Sequence, residues 1–191
     1  MNNKEKFEKY ADLLREWSHK INLVAPSTLE CIEQRHFADS AQLAEYLPSN
    51  VLIADLGAGA GFPGVILAIL GWEVIAIESI GKKANFLKTL KTELDLPNLT
   101  IFHGRAEDFI KNLKKTGKKL VFSARAFAPL VKILDYVAHT KSRLFLLKGR
   151  DIDTEVLAAK QNYTFDYKLY PSKTGDGFIV IIDKVSQKKI A

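Results

Sequence analysis

The sequence lacks most of what marks a secreted, disulfide-bonded or zinc-binding protein. Its single cysteine, Cys31, has no partner for an internal disulfide, and its four histidines form no cluster with it at structural zinc spacing. No apolar run approaches the roughly 18 residues of a membrane-spanning helix. The first residues are charged where a signal peptide needs an apolar stretch. We therefore expect a reduced, soluble, cytoplasmic protein that binds neither a membrane nor a metal.

What the sequence does have is an ordinary globular composition with an excess of positive charge. Hydrophobic residues make up 47% and charged residues 26% of the chain, which excludes disordered and collagen-like proteins. The 28 lysines and arginines outnumber 22 acidic residues, so the formal net charge is +6. This excess suits an anionic partner such as nucleic acid, although a solvated lysine surface has the same effect.

Residues 1–49 carry a helical pattern and predict an N-terminal helical cap. A first apolar stripe recurs at intervals of three and four residues, at Phe7, Tyr10, Leu14, Trp17 and Ile21. Ser27 and Glu30 then have the spacing of a capping box, which predicts the start of a second helix. A second stripe follows and ends at Pro48; it consists of Ile32, His36, Ser40, Leu43 and Leu47.

Residues 50–191 have a different pattern and predict a second domain. Five short apolar runs alternate with helical segments, as in strands buried on both faces of a parallel sheet. Two further β-rich segments, Tyr163–Tyr170 and Phe178–Asp183, have no helix between them and predict an antiparallel hairpin at a sheet edge. The prediction is an α/β fold: a doubly wound, mostly parallel sheet of seven strands with a helical extension in front of it.

A glycine-rich loop follows the first predicted strand and opens a helix. Gly57, Gly59 and Gly61 allow sharp turns and a close approach to a ligand. The spacing of Gly59, Gly61 and Gly64 matches the dinucleotide fingerprint, but that match alone is weak. Asp55, ahead of the first glycine, would repel a pyrophosphate and favours a cationic ligand such as S-adenosylmethionine.

Other strand ends supply further candidate cofactor contacts. Glu78 ends the second strand, where a carboxylate can accept hydrogen bonds from both ribose hydroxyls. The segment from His103 to Asp108 follows the third strand, where an adenine edge is expected to meet backbone amides and an acidic side chain, Glu107 or Asp108. Arg125 follows the fourth strand. Because only about 140 residues follow the cap and the sheet uses them all, a dehydrogenase with its extra catalytic domain is disfavoured.

Basic residues gather at the predicted carboxyl ends of the strands, on one rim of the sheet, where they could neutralise RNA phosphates. They are Lys82, Lys83, Arg105, Arg125 and Lys148. A separate lysine run over residues 111–119 is interpreted as a solvated face. Phe62 or Phe127 could stack on a base, or could simply pack.

Six segments of the chain resemble, in order, the motifs of the RsmG family, also called GidB. They are Asn22–Val24, Arg35–Ser40, Asp55–Gly64, Glu78–Lys83, Ser123–Ala128 and Leu147–Gly149. The resemblance implies a class I, Rossmann-like methyltransferase that uses S-adenosylmethionine. Its implied substrate is a guanine N7 in the decoding-region loop of 16S ribosomal RNA. It also implies that Gly57, Phe62, Ala106, Glu107 and Arg125 contact the cofactor.

The chemistry of guanine N7 requires no general base, because this atom carries a lone pair and no proton. No catalytic acid or base is therefore assigned, and His36 is the histidine to test. Two alternatives stay open: a methyltransferase acting on a small molecule or a protein, and a non-catalytic nucleotide-binding or RNA-binding module. We expect a monomer whose partner is small-subunit ribosomal RNA or the ribosomal subunit.

Overall fold

The central element is a mixed seven-stranded sheet. The computed structural model describes residues 1–113 and 117–188, so Lys114 and Lys115 of the lysine run lie outside the described residues. Within them the strand order is β3-β2-β1-β4-β5-β7-β6. β1 to β5 are parallel, whereas β7 is antiparallel to β5 and to β6. The strands are β1 Val51–Leu56, β2 Glu73–Glu78, β3 Leu99–His103, β4 Lys119–Arg125, β5 Arg143–Lys148, β6 Tyr163–Pro171 and β7 Phe178–Gln187.

Helices cover both faces of the sheet, which confirms the doubly wound architecture. The α-helices are α1 Asn3–Ser18, α2 Asp39–Ala41, α3 Gly64–Ile69, α4 Gly81–Glu93, α5 Ala106–Lys111, α6 Leu130–Val137 and α7 Ile152–Asn162. Alternation along each strand divides the core: Val51 and Ile53 of β1 face α1, α3 and α4, whereas Ala54 and Leu56 face α5 to α7. None of the helices in the described ranges is long and apolar enough to span a membrane.

The predicted second helix of the cap is irregular. Residues 26–45 form a 3-10 helix (Pro26–Cys31), a π-helical turn (Glu33–Ala38), the single turn α2 and another 3-10 helix (Gln42–Glu45). The capping box predicted at Ser27 and Glu30 is wrong, because the 3-10 helix follows Ala25 and has no side-chain cap. The capping box lies instead at the start of α1, between Asn2 and Glu5.

The cap shares a core with the sheet. Tyr10 and Leu14 of α1, and Leu43 of the irregular segment, are fully buried in the same cluster as Ile53 and Val65. The apolar stripe of the irregular segment is therefore buried as predicted, although the helix type is not. The division into residues 1–49 and 50–191 stays a proposal. The boundary falls just before the first strand, and the two parts share one hydrophobic cluster.

Candidate active site

The glycine loop leaves β1 at the carboxyl edge of the sheet and bends over it. Gly57, Gly59 and Gly61 have φ values of +66°, +56° and +101°, a region that favours glycine. A Cβ on Gly61 would collide with the Tyr10 hydroxyl and with Val65. The Tyr10 hydroxyl donates a hydrogen bond of 2.6 Å to the Ala60 carbonyl. The cap therefore holds the loop from above, and Gly61 is buried rather than available to a ligand.

Asp55 holds the loop from below. Its carboxylate is fully buried and accepts hydrogen bonds from the Gly64 amide (2.9 Å) and the Ser123 hydroxyl (2.9 Å). Burial raises its pKa to about 7, against the opposing effect of those two hydrogen bonds. Both carboxylate oxygens of Asp55 have protein partners behind the loop, and the predicted contact of Asp55 with a cationic ligand stays a prediction.

Glu78, at the end of β2, joins the loop to the neighbouring strand. Its two oxygens accept from the Gly59 amide (2.9 Å) and the Ile80 amide (2.7 Å), and only 5% of the residue is exposed. A carboxylate has about four acceptor positions, so further hydrogen bonds remain possible beside Gly59. The predicted contact of Glu78 with ribose stays a prediction.

A cavity of about 260 Å³ lies between the glycine loop and the cap. Its wall contains Gly57, Gly59, Phe62 and Arg125 of the predicted set, together with His36. The rings of His36 and Phe62 are stacked, with centroids 4.9 Å apart. This cavity is called the loop cavity below.

His36 is neutral in this setting. Burial, and then the positive charge of Arg125, lowers its pKa to about 4. One ring nitrogen, Nε2, lies 2.8 Å from the Thr28 hydroxyl, and Nδ1 is buried without a hydrogen-bond partner among the described residues. The ring therefore forms an aromatic wall of the loop cavity.

A larger cavity of about 560 Å³ lies beside the loop cavity, beyond the ends of β4 and β5. Its lining combines residues 125–129 and 147–149 with the turn between β6 and β7 and with two residues of the cap. The charged side chains in this lining are Arg35, Asp39, Arg125, Lys148, Glu155 and Asp176. This second cavity is called the acceptor cavity below.

Arg125 and Ala126 line both cavities. The Arg125 Nε lies 3.2 Å from Asp39 Oδ2, and its Nη2 donates to the Arg35 carbonyl at 2.9 Å. The guanidinium carbon is 5.6 Å from the centre of the Phe62 ring. The structure thus places Arg125 at the boundary between two adjoining cavities.

Lys148 makes contacts that the sequence does not predict. Its ammonium group is 2.6 Å from Glu155 Oε2 and donates to the Ala128 carbonyl at 2.9 Å, and 9% of the side chain is exposed. Glu155 Oε2 also accepts from the Leu130 amide at the start of α6. The predicted contact of Lys148 with RNA phosphate stays a prediction, but its ammonium group is paired inside the protein, where it joins β5 to α6 and α7.

The predicted adenine-side residues lie outside the loop cavity. Ala106 is buried at the start of α5 and Glu107 is half-buried next to it. A hydrogen bond from its own amide and another from the Tyr136 hydroxyl lower the pKa of Glu107. The Phe127 ring lies against Gly57. The centre of the same ring is 6.1 Å from the centre of the Tyr136 ring. Phe127 therefore packs between the glycine loop and the Glu107 region.

The remaining basic residues of the predicted rim are accessible. Lys82 and Arg105 are exposed and Lys83 is half-buried at the wall of the loop cavity. In the described part of the chain no acidic group lies within ion-pairing distance of Lys82 or Lys83. The positive charges of Lys82 and Lys83 are therefore available to bind an anionic group at the edge of the site.

Sequence reasoning missed the polar network beside Arg125. Asp39 accepts hydrogen bonds from the side chains of Gln42 and Thr174, and Ser172 lies within 3.3 Å. Asp39 lies in the Arg35–Ser40 segment, which resembles a family motif. This resemblance is the feature of the sequence that could have identified Asp39 as a site residue. The turn between β6 and β7 contributes Ser172 and Thr174 to this network, and the sequence alone predicts only that the turn connects two strands.

Comparison with known proteins decides the family. The sequence model of GidB, described as rRNA small subunit methyltransferase G, matches residues 3–174. The chain belongs to the GidB family. A similar GidB protein, ribosomal RNA small subunit methyltransferase G of Caulobacter vibrioides NA1000, is 39% identical over 193 residues, covering 96% of this chain and 86% of that protein. The protein of the same name from Orientia tsutsugamushi Ikeda is 39% identical over 184 residues, covering 94% and 89%.

Solved structures agree with GidB membership at the level of the fold. An O-methyltransferase from Bacillus cereus in complex with SAH has a TM-score of 0.60 and 17% identity, and the match covers 92% of this chain and 91% of that one. A mutant of MtNAS in complex with S-adenosylmethionine has a TM-score of 0.60 and 15% identity, covering 95% and 76%. The fold is that of class I methyltransferases.

Proposed function

We propose that this GidB protein transfers a methyl group from S-adenosylmethionine to N7 of a guanine in small-subunit ribosomal RNA. The observation that carries the proposal is the pair of cavities sharing Arg125 and Ala126 at the end of β4. A methyl donor in one cavity and an acceptor base in the other would meet at this boundary. Membership of a family described as rRNA small subunit methyltransferase G supports this choice of reaction and of RNA.

The residues around the loop cavity fit S-adenosylmethionine. Above Gly59 the space is open, since a Cβ there would meet only the Gly57 carbonyl at 3.7 Å. Glu78 retains acceptor capacity beside Gly59 for hydroxyl groups. Arg125 Nη1 is buried without a hydrogen-bond partner among the described residues, so it can donate to a carboxylate that enters the cavity.

Catalysis by this chain would rest on alignment and on exclusion of water. When bound, S-adenosylmethionine supplies a methyl group on a positively charged sulfur. Guanine N7 needs no deprotonation, and the site agrees with this, because His36 is stacked on Phe62 and its pKa, lowered to about 4, makes it a weak base. The aromatic wall and the buried loop hold the reactants in place and keep water out.

The acceptor cavity has features that suit a guanine and its methylated product. N7-methylguanine is a cation. The three acidic and three basic side chains of the lining balance, and Asp176 is the carboxylate in it that has no ion-pair partner among the described residues, so it can face the positive charge. Lys82 and Arg105 lie outside both cavities and Lys83 lies at the wall of the loop cavity, and all three can bind the phosphates that flank the base. We therefore assign RNA binding chiefly to these three residues.

The test is methyl transfer from labelled S-adenosylmethionine to small ribosomal subunits purified from a strain that lacks this gene. We expect one methyl group on the RNA, located at N7 of a guanine by mass spectrometry of nuclease fragments. Subunits from the strain that keeps the gene are the control and should accept little label. Label on another atom would contradict the N7 assignment, and label only on protein would contradict the RNA assignment.

A further inference from the structure

Asp39 connects three parts of the chain that are distant in sequence. It is the first residue of α2, and 18% of its side chain is exposed. Its Oδ2 pairs with Arg125 Nε at 3.2 Å. Its Oδ1 accepts from Thr174 Oγ1 and from Gln42 Nε2, each at 2.9 Å. One carboxylate therefore joins the cap, the end of β4 and the turn between β6 and β7.

Two of the five N–H donors of the Arg125 guanidinium face acceptors of the protein. Nε faces Asp39, Nη2 donates to the Arg35 carbonyl, and Nη1 is buried without a partner in the described residues. Asp39 thus sets the plane of the guanidinium and neutralises part of its charge. With Asp39 in place, both hydrogens of Nη1 and one of Nη2 remain for a ligand at the boundary of the two cavities that Arg125 lines.

The turn between β6 and β7 holds Asp39 from the other side. Ser172 and Thr174 both line the acceptor cavity, and Thr174 donates directly to Asp39. The Lys173 amide donates to Gln42 Oε1 at 3.1 Å, which ties the same turn to the cap. A wall of the acceptor cavity is therefore linked through Asp39 to the arginine of the loop cavity.

We propose that Asp39 is a positioning residue that orients Arg125 toward the cofactor, and that the turn at residues 172–174 holds Asp39 in that position. This inference rests on the proposed function. It makes the affinity for the cofactor depend on contacts made in the acceptor cavity. Asp39 itself lies behind Arg125 and acts through it.

The test uses calorimetric binding of S-adenosylhomocysteine to the full chain. Asp39→Asn keeps an oxygen for Thr174 and Gln42 but places a neutral amide against Arg125. We expect roughly tenfold weaker binding, because the guanidinium loses the charge that orients it and contacting residues couple by about this much. Thr174→Val leaves the ion pair with Arg125 in place and should weaken binding less, in the same direction.

Asp183→Asn is the matched control. It breaks another arginine–aspartate pair, in which Arg143 Nε lies at the same distance of 3.2 Å from Asp183 Oδ2. Asp183 is in β7 outside both cavity linings, so affinity should not change. Thermal unfolding of each sample separates weaker binding from loss of fold, and Thr174→Val tests the proposal if Asp39→Asn is unfolded.

A double-mutant cycle with Arg125→Lys distinguishes positioning from general structural support. If Asp39 acts through Arg125, adding Asp39→Asn to Arg125→Lys should change affinity less than twofold, whereas independent effects multiply. Multiplying effects, or wild-type affinity in Asp39→Asn, would overturn the inference and leave the proposed function standing. Failure of the wild-type chain to bind S-adenosylhomocysteine would overturn both.

Discussion

The two cavities that meet at Arg125 are built in different ways. Two titratable side chains at the loop cavity are shaped by burial: the pKa of Asp55, behind the glycine loop, is raised to about 7 and that of His36, in the wall, is lowered to about 4. The acceptor cavity contains two ion pairs instead, Arg125 with Asp39 and Lys148 with Glu155. The loop cavity is therefore held mainly by packing of buried groups, and the acceptor cavity mainly by ion pairs.

This difference predicts two kinds of sensitivity. The loop cavity should respond strongly to added volume and to the protonation of one buried carboxyl, because its polar groups have no solvent to relax into. The acceptor cavity should respond to loss of a charge partner, by smaller amounts where solvent screens the pair. Variants at each cavity test whether the two respond in these different ways.

The largest effect is expected from Gly61→Ala. The added methyl group would meet both the Tyr10 hydroxyl and Val65, and the backbone φ of +101° is strained for alanine. We expect a loss of about 2–4 kcal/mol in the free energy of unfolding, from overpacking plus backbone strain. Urea unfolding measures it, and binding of S-adenosylhomocysteine should fall with it.

Gly71→Ala is the matched control for backbone strain. Its φ of +99° is nearly the same, but a Cβ there meets nothing within 4 Å. It should cost about 1 kcal/mol, the strain alone. Equal losses of unfolding free energy in the two variants would show that Tyr10 does not hold the loop in place, and would contradict the view that packing builds the loop cavity.

The next effect concerns the pH dependence that Asp55 confers. Its pKa of about 7 in the folded state lies above the ordinary 3.8. The folded protein therefore holds a proton that the unfolded chain has lost between about pH 4 and pH 7. The contribution of Asp55 to stability is fully present below that range and decreases as the pH rises through it, by a few kcal/mol in all.

Asp55→Asn removes this titration. The free energy of unfolding, measured in urea at intervals from pH 4 to pH 8, should decline with pH more steeply in the wild type than in the variant. The difference between the two curves isolates Asp55 from other titrating groups. Parallel curves would mean that the buried carboxyl keeps an ordinary pKa, and the contrast between the cavities would disappear.

Much of the fold could be predicted because buried parallel strands leave unbroken apolar runs. The ends of the strands could not. The apolar run of β4 covers Leu120 to Phe122, whereas the strand extends from Lys119 to Arg125 and includes the polar Ser123, which is buried and donates a hydrogen bond to Asp55. In the cap, periodicity identified the buried face, whereas the π-helical turn that carries His36 left no pattern in the sequence.

The candidate site was predicted where it depends on strand ends and missed where it depends on long-range pairing. Gly57, Gly59 and Arg125 come together because the carboxyl ends of parallel strands share one edge. The partners of Lys148 and Asp39 lie in other elements, at Glu155 and Thr174, and nothing in local sequence links them. The sequence therefore places Lys148 with the charges of the rim, and its ion pair with Glu155 is visible only in the fold.

A smaller effect is expected from Lys148→Met, which leaves Glu155 without its cation. The pair is mostly buried, so the free energy of unfolding should fall by about 1–3 kcal/mol. The control is Lys173→Met, whose pair with Glu45 is 61% and 52% exposed and should not contribute measurably. Equal stability of the two variants would contradict the view that paired charges build the acceptor side.

The smallest effect is expected from the exposed rim, where neither packing nor pairing operates. Lys82→Gln and Lys83→Gln should each lower the slope of log affinity for small-subunit RNA against log salt by about 1, the loss of one phosphate contact. Stability should not change. Lys88→Gln, an exposed lysine further along α4, is the control and should keep the full slope. If Lys88 lowers the slope as much as Lys82 does, the RNA contacts are spread over the surface, and the rim has no special part in binding.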